Sequence, residues 1–133
     1  MADPLDVRVV SADAVVWSGE ADSVIARTVD GDIGILPGHE PVLSLLTPGG
    51  VEIIQPGGVR EVVAVDGGFM SVAQGRVSVI SEYARMGQEI TVDQAERALD
   101  AAKQKLDGGD DSEETRQAYR RAEAQLQAAR KAQ

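Results

Sequence analysis

Near Gly87 the apolar repeat of the chain changes from two residues to between three and four, and no single type of element accommodates both. Side chains alternate across a strand but return to one face of a helix every third or fourth position. Every proline, and every glycine except Gly108 and Gly109, lies at or before Gly87. Beyond it Ala, Gln, Glu, Lys and Arg dominate, mostly strong helix formers. The 133-residue chain therefore predicts an α+β architecture, with a β unit over residues 1–87 and a helical unit over 88–133.

In the first unit Leu5, Val7 and Val9 alternate with Asp6, Arg8 and Val10, and the runs AVVWS, SVIARTV, VEIIQ, VREVVAV, FMSVA and RVSVISE follow. Such β-branched runs, broken by Gly, Pro, Asp and Ser at short intervals, predict an antiparallel β-sandwich of two packed sheets. Asp66-Gly67-Gly68 and Gln74-Gly75 are candidates for tight turns, because glycine accepts the positive φ that hairpins demand. Pro37, Pro41, Pro48 and Pro56 cannot donate to a central ladder and are expected in loops or at edges. Trp17 and Phe69 are expected in the core, where two large rings fill a small β domain.

In the second unit Thr91 is placed to cap a helix, with Gln94 three residues later completing a capping box. Ala95, Ala98, Leu99, Ala102 and Leu106 then form one face, Asp107 to Ser112 interrupts it, and Ala118, Ala122, Leu126 and Ala129 form a second stripe. The pattern predicts an antiparallel helical hairpin. Its stripes are mainly alanine, which contributes far less on burial than the roughly 1.5–3 kcal/mol of a leucine. The hairpin is therefore expected to dock weakly on its neighbour.

Charge and composition narrow the function. Thirteen Lys and Arg face 22 Asp and Glu, a net charge of −9, which argues against a nucleic-acid partner and its need for a basic footprint. Without cysteine there is no disulfide, thiol or thiolate–metal chemistry. The opening MADPLDVRVV has no basic, apolar leader and predicts a protein that is not secreted. From Thr115 to Gln133 the overall sign reverses: Arg116, Arg120, Arg121, Arg130 and Lys131 oppose only Glu123, which suits either a solvated face or an acidic partner surface.

No constellation of catalytic residues emerges. His39 is the single histidine, too little for a histidine-rich metal site or an assignable triad. Asp30, Asp32 and Glu40 do not have EF-hand spacing. Gly31, Gly34 and Gly38 lack the Lys-Ser/Thr of a phosphate-binding loop. No metal, cofactor or catalytic residue is expected, and the chain reads as an interaction protein.

The stretch GDIGILPGHEPVLSLL (Gly31 to Leu46) closely resembles the epsilon subunit of bacterial F-type ATP synthases. VAVDGGFMSVAQGRVSVISEYA (Val63 to Ala84) and LDVRVVSADAVVWSGEADSV (Leu5 to Val24) are similar to the same family. The resemblance implies a noncatalytic rotor component of the central stalk that couples proton translocation to ATP synthesis. Its β unit would bind the gamma subunit and the c-ring, with Asp32, His39 and Glu40 in contact roles. Its helical hairpin would be regulatory, moving from a compact form to an extended one that reaches the alpha and beta subunits and inhibits ATP hydrolysis. Arg116, Arg120, Arg121, Arg130 and Lys131 would then meet acidic groups of the beta subunit. The implied location is the cytoplasmic face of the bacterial plasma membrane, attached peripherally through the complex.

One departure bears on ligands. Family members that bind ATP carry Ile/Leu-Asp-x-x-Arg-Ala at the start of the first helix, whereas this chain has Ile90-Thr91-Val92-Asp93-Gln94-Ala95. Thr91 stands at the Asp position and Gln94 at the Arg position. Sliding the register to Asp93 and Arg97 rotates the guanidinium by about 100° around the helix. Weak or absent ATP binding is expected, against the alternative of an ATP-sensing module.

Overall fold

The computed structural model describes residues 3–133. Ten strands form two five-stranded sheets, and two helices follow. The first sheet has the order β2-β1-β9-β8-β5, comprising β1 (Leu5–Val10), β2 (Val15–Ala21), β5 (Val42–Leu45), β8 (Phe69–Ala73) and β9 (Arg76–Ile80). The second has the order β10-β7-β6-β3-β4, comprising β3 (Ser23–Thr28), β4 (Gly31–Ile35), β6 (Gly49–Ile54), β7 (Arg60–Val65) and β10 (Ala84–Met86). The expected sandwich followed by a hairpin is what the chain forms. One ladder differs from an all-antiparallel arrangement: β1 pairs with β9 in parallel, Asp6 beside Arg76 through Val10 beside Ile80. No local hairpin signal announces that pairing, because the two strands are joined by most of the domain.

Alternation sets the faces. Leu5, Val7 and Val9 are buried while Asp6 and Arg8 are exposed. Their buried side meets Met70, Val72, Val77 and Val79 of the same sheet and Val24, Ile35, Val51, Ile53, Val63 and Val65 of the other. Trp17 packs half-buried against this core, with its ring over Gly19, where a Cβ would stand 3.0 Å from the ring edge. Phe69 is outside the core, its ring 38% exposed on the outer face. The expectation for that ring is corrected: it falls on the odd side of the β8 alternation, so Met70 and Val72 take the core.

Gln74 and Gly75, at φ of 52° and 77°, close the β8–β9 hairpin as a two-residue turn. Asp66-Gly67-Gly68 serves a different purpose, carrying the chain from β7 in one sheet to β8 in the other. A Cβ on Gly68 would lie 2.0 Å from the Ile80 carbonyl oxygen, so glycine is required there by space and by its φ of 88°. Pro37, Pro41, Pro48 and Pro56 all lie outside the strands.

A single 3₁₀ turn (Gly87–Glu89) leads into α1 (Val92–Asp107), whose N-terminal amides are capped by Thr91 Oγ1, accepting from Gln94 N at 3.2 Å. Helix α2 (Glu113–Ala132) starts at Ser112, which accepts from Thr115 N at 3.3 Å. It lies between α1 and the outer face of β6 and β7. Being packed on both sides, α2 buries more than the stripe read from sequence: Ala124 and Ala128 join Ala122, Leu126 and Ala129, whereas Ala118 remains exposed. Ala124 and Ala128 share a buried cluster with Val62 and Ala64 of β7.

Candidate functional site: two outer faces and one shared carboxylate

The two outer faces of the sandwich are chemically different. The face formed by β6 and β7 is covered by α2, and its outward residues are small. Gly49 and Gly50 open β6, and Gly87 begins the 3₁₀ turn. A Cβ on Gly87 would stand 2.9 Å from the Ala128 carbonyl oxygen, and one on Gly50 would stand 3.1 Å from Ala128 Cα. Alanine opposite glycine thus permits direct backbone approach. The expectation of loose docking is modified by this contact, because dispersion is gained along backbone atoms and does not need large side chains.

Polar groups fasten α2 at several levels. Asp66, whose side chain is only 7% exposed, accepts from Arg121 Nε at 3.1 Å, from Ser81 Oγ at 2.9 Å and from Tyr83 N at 3.3 Å. The Arg121 guanidinium also lies 5.3 Å from the Tyr83 ring centroid, a cation–π distance. Tyr83 Oη accepts from Gln125 Nε2 at 2.9 Å. Nearer the C-terminal end Glu52 receives both Arg60, at 2.8 Å, and Lys131, at 3.4 Å, and Arg60 also donates to the Lys131 carbonyl.

All five cations of the last helix are satisfied within the chain. Arg116 faces Asp111 at 3.9 Å, Arg120 pairs with Glu113 at 2.8 Å, and Arg130 pairs with Glu96 at 3.5 Å, besides Arg121 on Asp66 and Lys131 on Glu52. The compact hairpin therefore spends its basic residues on its own acids. Arg121 and Lys131 would meet an outside acidic surface only after leaving Asp66 and Glu52, whereas Arg116, Arg120 and Arg130 keep much of their surface in water.

The opposite face, on the β2-β1-β9-β8-β5 sheet, carries a row of outward apolar residues. Val15 stands beside Val10, Val10 beside Ile80, Ile80 beside Phe69, and Phe69 beside Leu45. One residue from every strand thus builds a stripe across the whole sheet. Val10 is half-buried, and exposure of the other four runs from 38% at Phe69 to 61% at Leu45. At the Leu45 end the backbone joins the β3–β4 turn, where Val29 N donates to Leu45 O at 3.0 Å and the Val29 side chain is itself exposed. Further along the strands Ser18, Arg8, Ser78 and Ser71 form a second row, which ends at the exposed Leu43. A contiguous apolar stripe beside a mainly polar row marks an interaction surface. Sequence reading missed it because alternation reveals two sides of a strand without saying which neighbours align across a sheet.

The contact residues expected from sequence lie near one edge. The conspicuous Gly31 to Leu46 stretch forms β4, a loop and β5. Asp32 pairs with Arg27 across β3 and β4 at 3.1 Å, both side chains largely in water. His39 Nδ1 donates to the Glu40 carbonyl at 2.7 Å in the loop after β4. The polar partner of Asp32 is Arg27 and that of His39 is the Glu40 carbonyl, so no hydrogen bond joins the two. Thr91 is occupied in capping, Asp93 and Arg97 pair along the exposed side of α1 at 2.8 Å, and Gln94 is exposed. All four residues are exposed. Among the described residues no group of three or more potential ligands could hold a metal ion, and no helix is long and apolar enough to cross a membrane.

The family described as "ATP synthase, Delta/Epsilon chain, beta-sandwich domain" matches residues 4–87. The ATP synthase epsilon chain of Cutibacterium acnes is 50% identical over 112 residues, covering 84% of this chain and 77% of that one. The corresponding chain of Streptomyces griseus is 45% identical over 128 residues, covering 96% and 97% respectively. Among solved structures, a chain from the Euglena gracilis mitochondrial ATP synthase, OSCP/F1/c-ring in rotational state 1, has the same fold, with a TM-score of 0.77 at 24% identity over 99% of this chain and 82% of that one.

Proposed function

The chain belongs to the ATP synthase epsilon chain family, and from that premise we propose that its apolar stripe seats it on the gamma subunit, while the β4–β5 edge faces the c-ring. As an epsilon chain it is a noncatalytic subunit of the central stalk of the ATP synthase. The observation that carries the proposal is the alignment of Val15, Val10, Ile80, Phe69 and Leu45 across one uncovered sheet. A rotor component transmits torque through rigid contact, and a closely packed sandwich gives that contact a firm base. Asp32, His39 and Glu40 contribute polar contacts at the adjoining edge, from a Pro/Gly loop carried on that scaffold. Attachment to the cytoplasmic face of a bacterial plasma membrane follows from these partners.

The hairpin is the regulatory part of the proposal. In its docked form its cations are neutralised internally. When the hairpin is released, Arg121 and Lys131 lose Asp66 and Glu52 and join the solvent-exposed Arg116, Arg120 and Arg130 in meeting acidic surfaces of the alpha and beta subunits and restraining ATP hydrolysis. Coupling of proton flow to synthesis would rest on the sandwich alone.

The test is co-purification of the full chain with the gamma subunit. The wild type is expected to remain bound through gel filtration. Ile80→Glu, which places a charge in the middle of the stripe without touching the core, is expected to elute alone. Retention of Ile80→Glu at wild-type affinity would overturn the assignment of this face.

A further inference from the structure

In the row next to the apolar stripe Arg8 stands in register between Ser18 on β2 and Ser78 on β9. Glu20, Asp6 and Arg76 form the row beyond it, and these six residues line a groove of about 440 Å³. Arg8 and Arg76 differ from every other arginine of the chain, each of which faces a carboxylate at 3.9 Å or less. Arg76 at least has Asp6 beside it in register, whereas Arg8 has only hydroxyls on its two flanks. Arg8 is exposed.

The size of a stable interface decides what becomes of that arginine. The stripe is one residue wide on a five-stranded sheet; at about 4.8 Å per strand and about 7 Å per outward residue it covers roughly 170 Å². A specific interface buries about 800 Å² on each partner. On one side of the stripe the strands end, at Val10, Ile80 and Leu45, and on the other lies the row of Arg8. A partner seated on the stripe therefore covers Arg8 as well. A guanidinium taken out of water without a counter-charge is costly, and this chain places no carboxylate against it.

We infer that Arg8 is the receptor for a carboxylate, and that the gamma surface seated on the stripe supplies that carboxylate from an Asp or Glu side chain. The inference rests on the reading of the stripe as the gamma-binding face. The planar guanidinium accommodates both oxygens of a carboxylate, and the Ser18 and Ser78 hydroxyls offer a further donor on either side. The acids of the groove fix where the partner group sits. Glu20 and Asp6 stand side by side in the outer row, so a carboxylate placed there meets like charge, and the Arg8 position beside the stripe is the one that accepts it. The stripe supplies the area of the interface, and the ion pair supplies its register.

Purified gamma subunit is the probe, titrated against the full chain. Arg8→Gln, which removes the charge of an exposed side chain without touching the core, is expected to weaken gamma binding by about tenfold or more, as for other charges covered in an interface. Arg8→Lys identifies the partner group, because it supplies an amine that a carbodiimide joins, with loss of water, to a carboxylate in contact with it. Mass spectrometry of the treated complex is expected to find position 8 joined to an Asp or Glu of gamma. Wild-type affinity in Arg8→Gln, with Ile80→Glu still eluting alone, would overturn the inference and leave the stripe reading intact. A bound complex in which position 8 is joined to no acid of gamma would overturn it likewise. Failure of gamma to bind the wild type, or undiminished binding to Ile80→Glu, would overturn both.

Discussion

Gly50 and Ala128 meet without a side chain between them: a Cβ on the glycine would stand 3.1 Å from the alanine Cα. Helix α2 is therefore seated by backbone proximity. Gly50→Ala is expected to push the helix outward, at a cost of about 1–3 kcal/mol as in other overpacked contacts. Thermal melting and proteolysis of the hairpin check this. Gly49→Ala is a control, since its added methyl meets only the movable end of Gln127.

The two carboxylates that hold α2 differ in what their loss exposes. Arg121→Met leaves Asp66 buried without a cation and is expected to destabilise the chain by about 1–3 kcal/mol. This is below the full cost of a broken buried pair because Arg121 itself keeps 36% of its side-chain surface. Lys131→Met leaves Glu52 with Arg60 at 2.8 Å and is expected to cost less than about 1 kcal/mol. Chemical denaturation of the two variants measures the contrast.

Asp110 and Glu123 respond to pH in opposite senses. The Ser112 backbone N–H, with the Ser112 and Thr115 hydroxyls, holds Asp110 below its ordinary 3.8, whereas burial raises Glu123 above 4.5. A depressed carboxyl supports the fold above its unfolded value and loses that support as pH falls through the folded one. A raised carboxyl supports it below its unfolded value and loses that support as pH rises through the folded one. Asp110→Asn is therefore expected to lower Tm at neutral pH, by an amount that shrinks as pH falls below 3.8. Glu123→Gln is expected to raise Tm at neutral pH, with no gain below 4.5. Melting curves across the acid range distinguish the two.

ATP is expected to leave the protein unchanged. Arg97 is tied to Asp93 on the exposed side of α1 and Thr91 is engaged as a cap. Isothermal titration with Mg-ATP is expected to give no heat at micromolar protein concentration. A micromolar Kd would restore the ATP-sensing alternative.

In the assembled enzyme, deletion of Asp93 to Gln133 is expected to raise ATP hydrolysis while leaving assembly in place, because the apolar stripe lies wholly on the sandwich. Steady-state hydrolysis by membranes carrying the shortened chain is the measurement. An unchanged rate would remove the inhibitory role.

Local pattern carried most of the fold. The change of period at Gly87, the Thr91 cap, the Gln74-Gly75 turn and the alternation of Leu5, Val7 and Val9 all depend on neighbours in the chain. What remained hidden depends on neighbours in space. β4 and β5 are missing from the runs that alternation picks out, because Gly31, Gly34, Pro37 and Pro41 dilute the strand signal. Phe69 looks like core until its register with Leu45 and Ile80 is known. Asp66 looks like a turn residue, and only the approach of Arg121, 55 positions later, gives its carboxylate a second purpose.

The parallel ladder between β1 and β9 has a consequence for biosynthesis. The first strand to leave the ribosome has one edge that stays vacant until the ninth has been made, so nucleation is long-range and slow by comparison with a hairpin meander. Helix α2 emerges last, onto a surface that can by then be complete. Vectorial synthesis thus delivers the helical hairpin only after the body that carries it has closed.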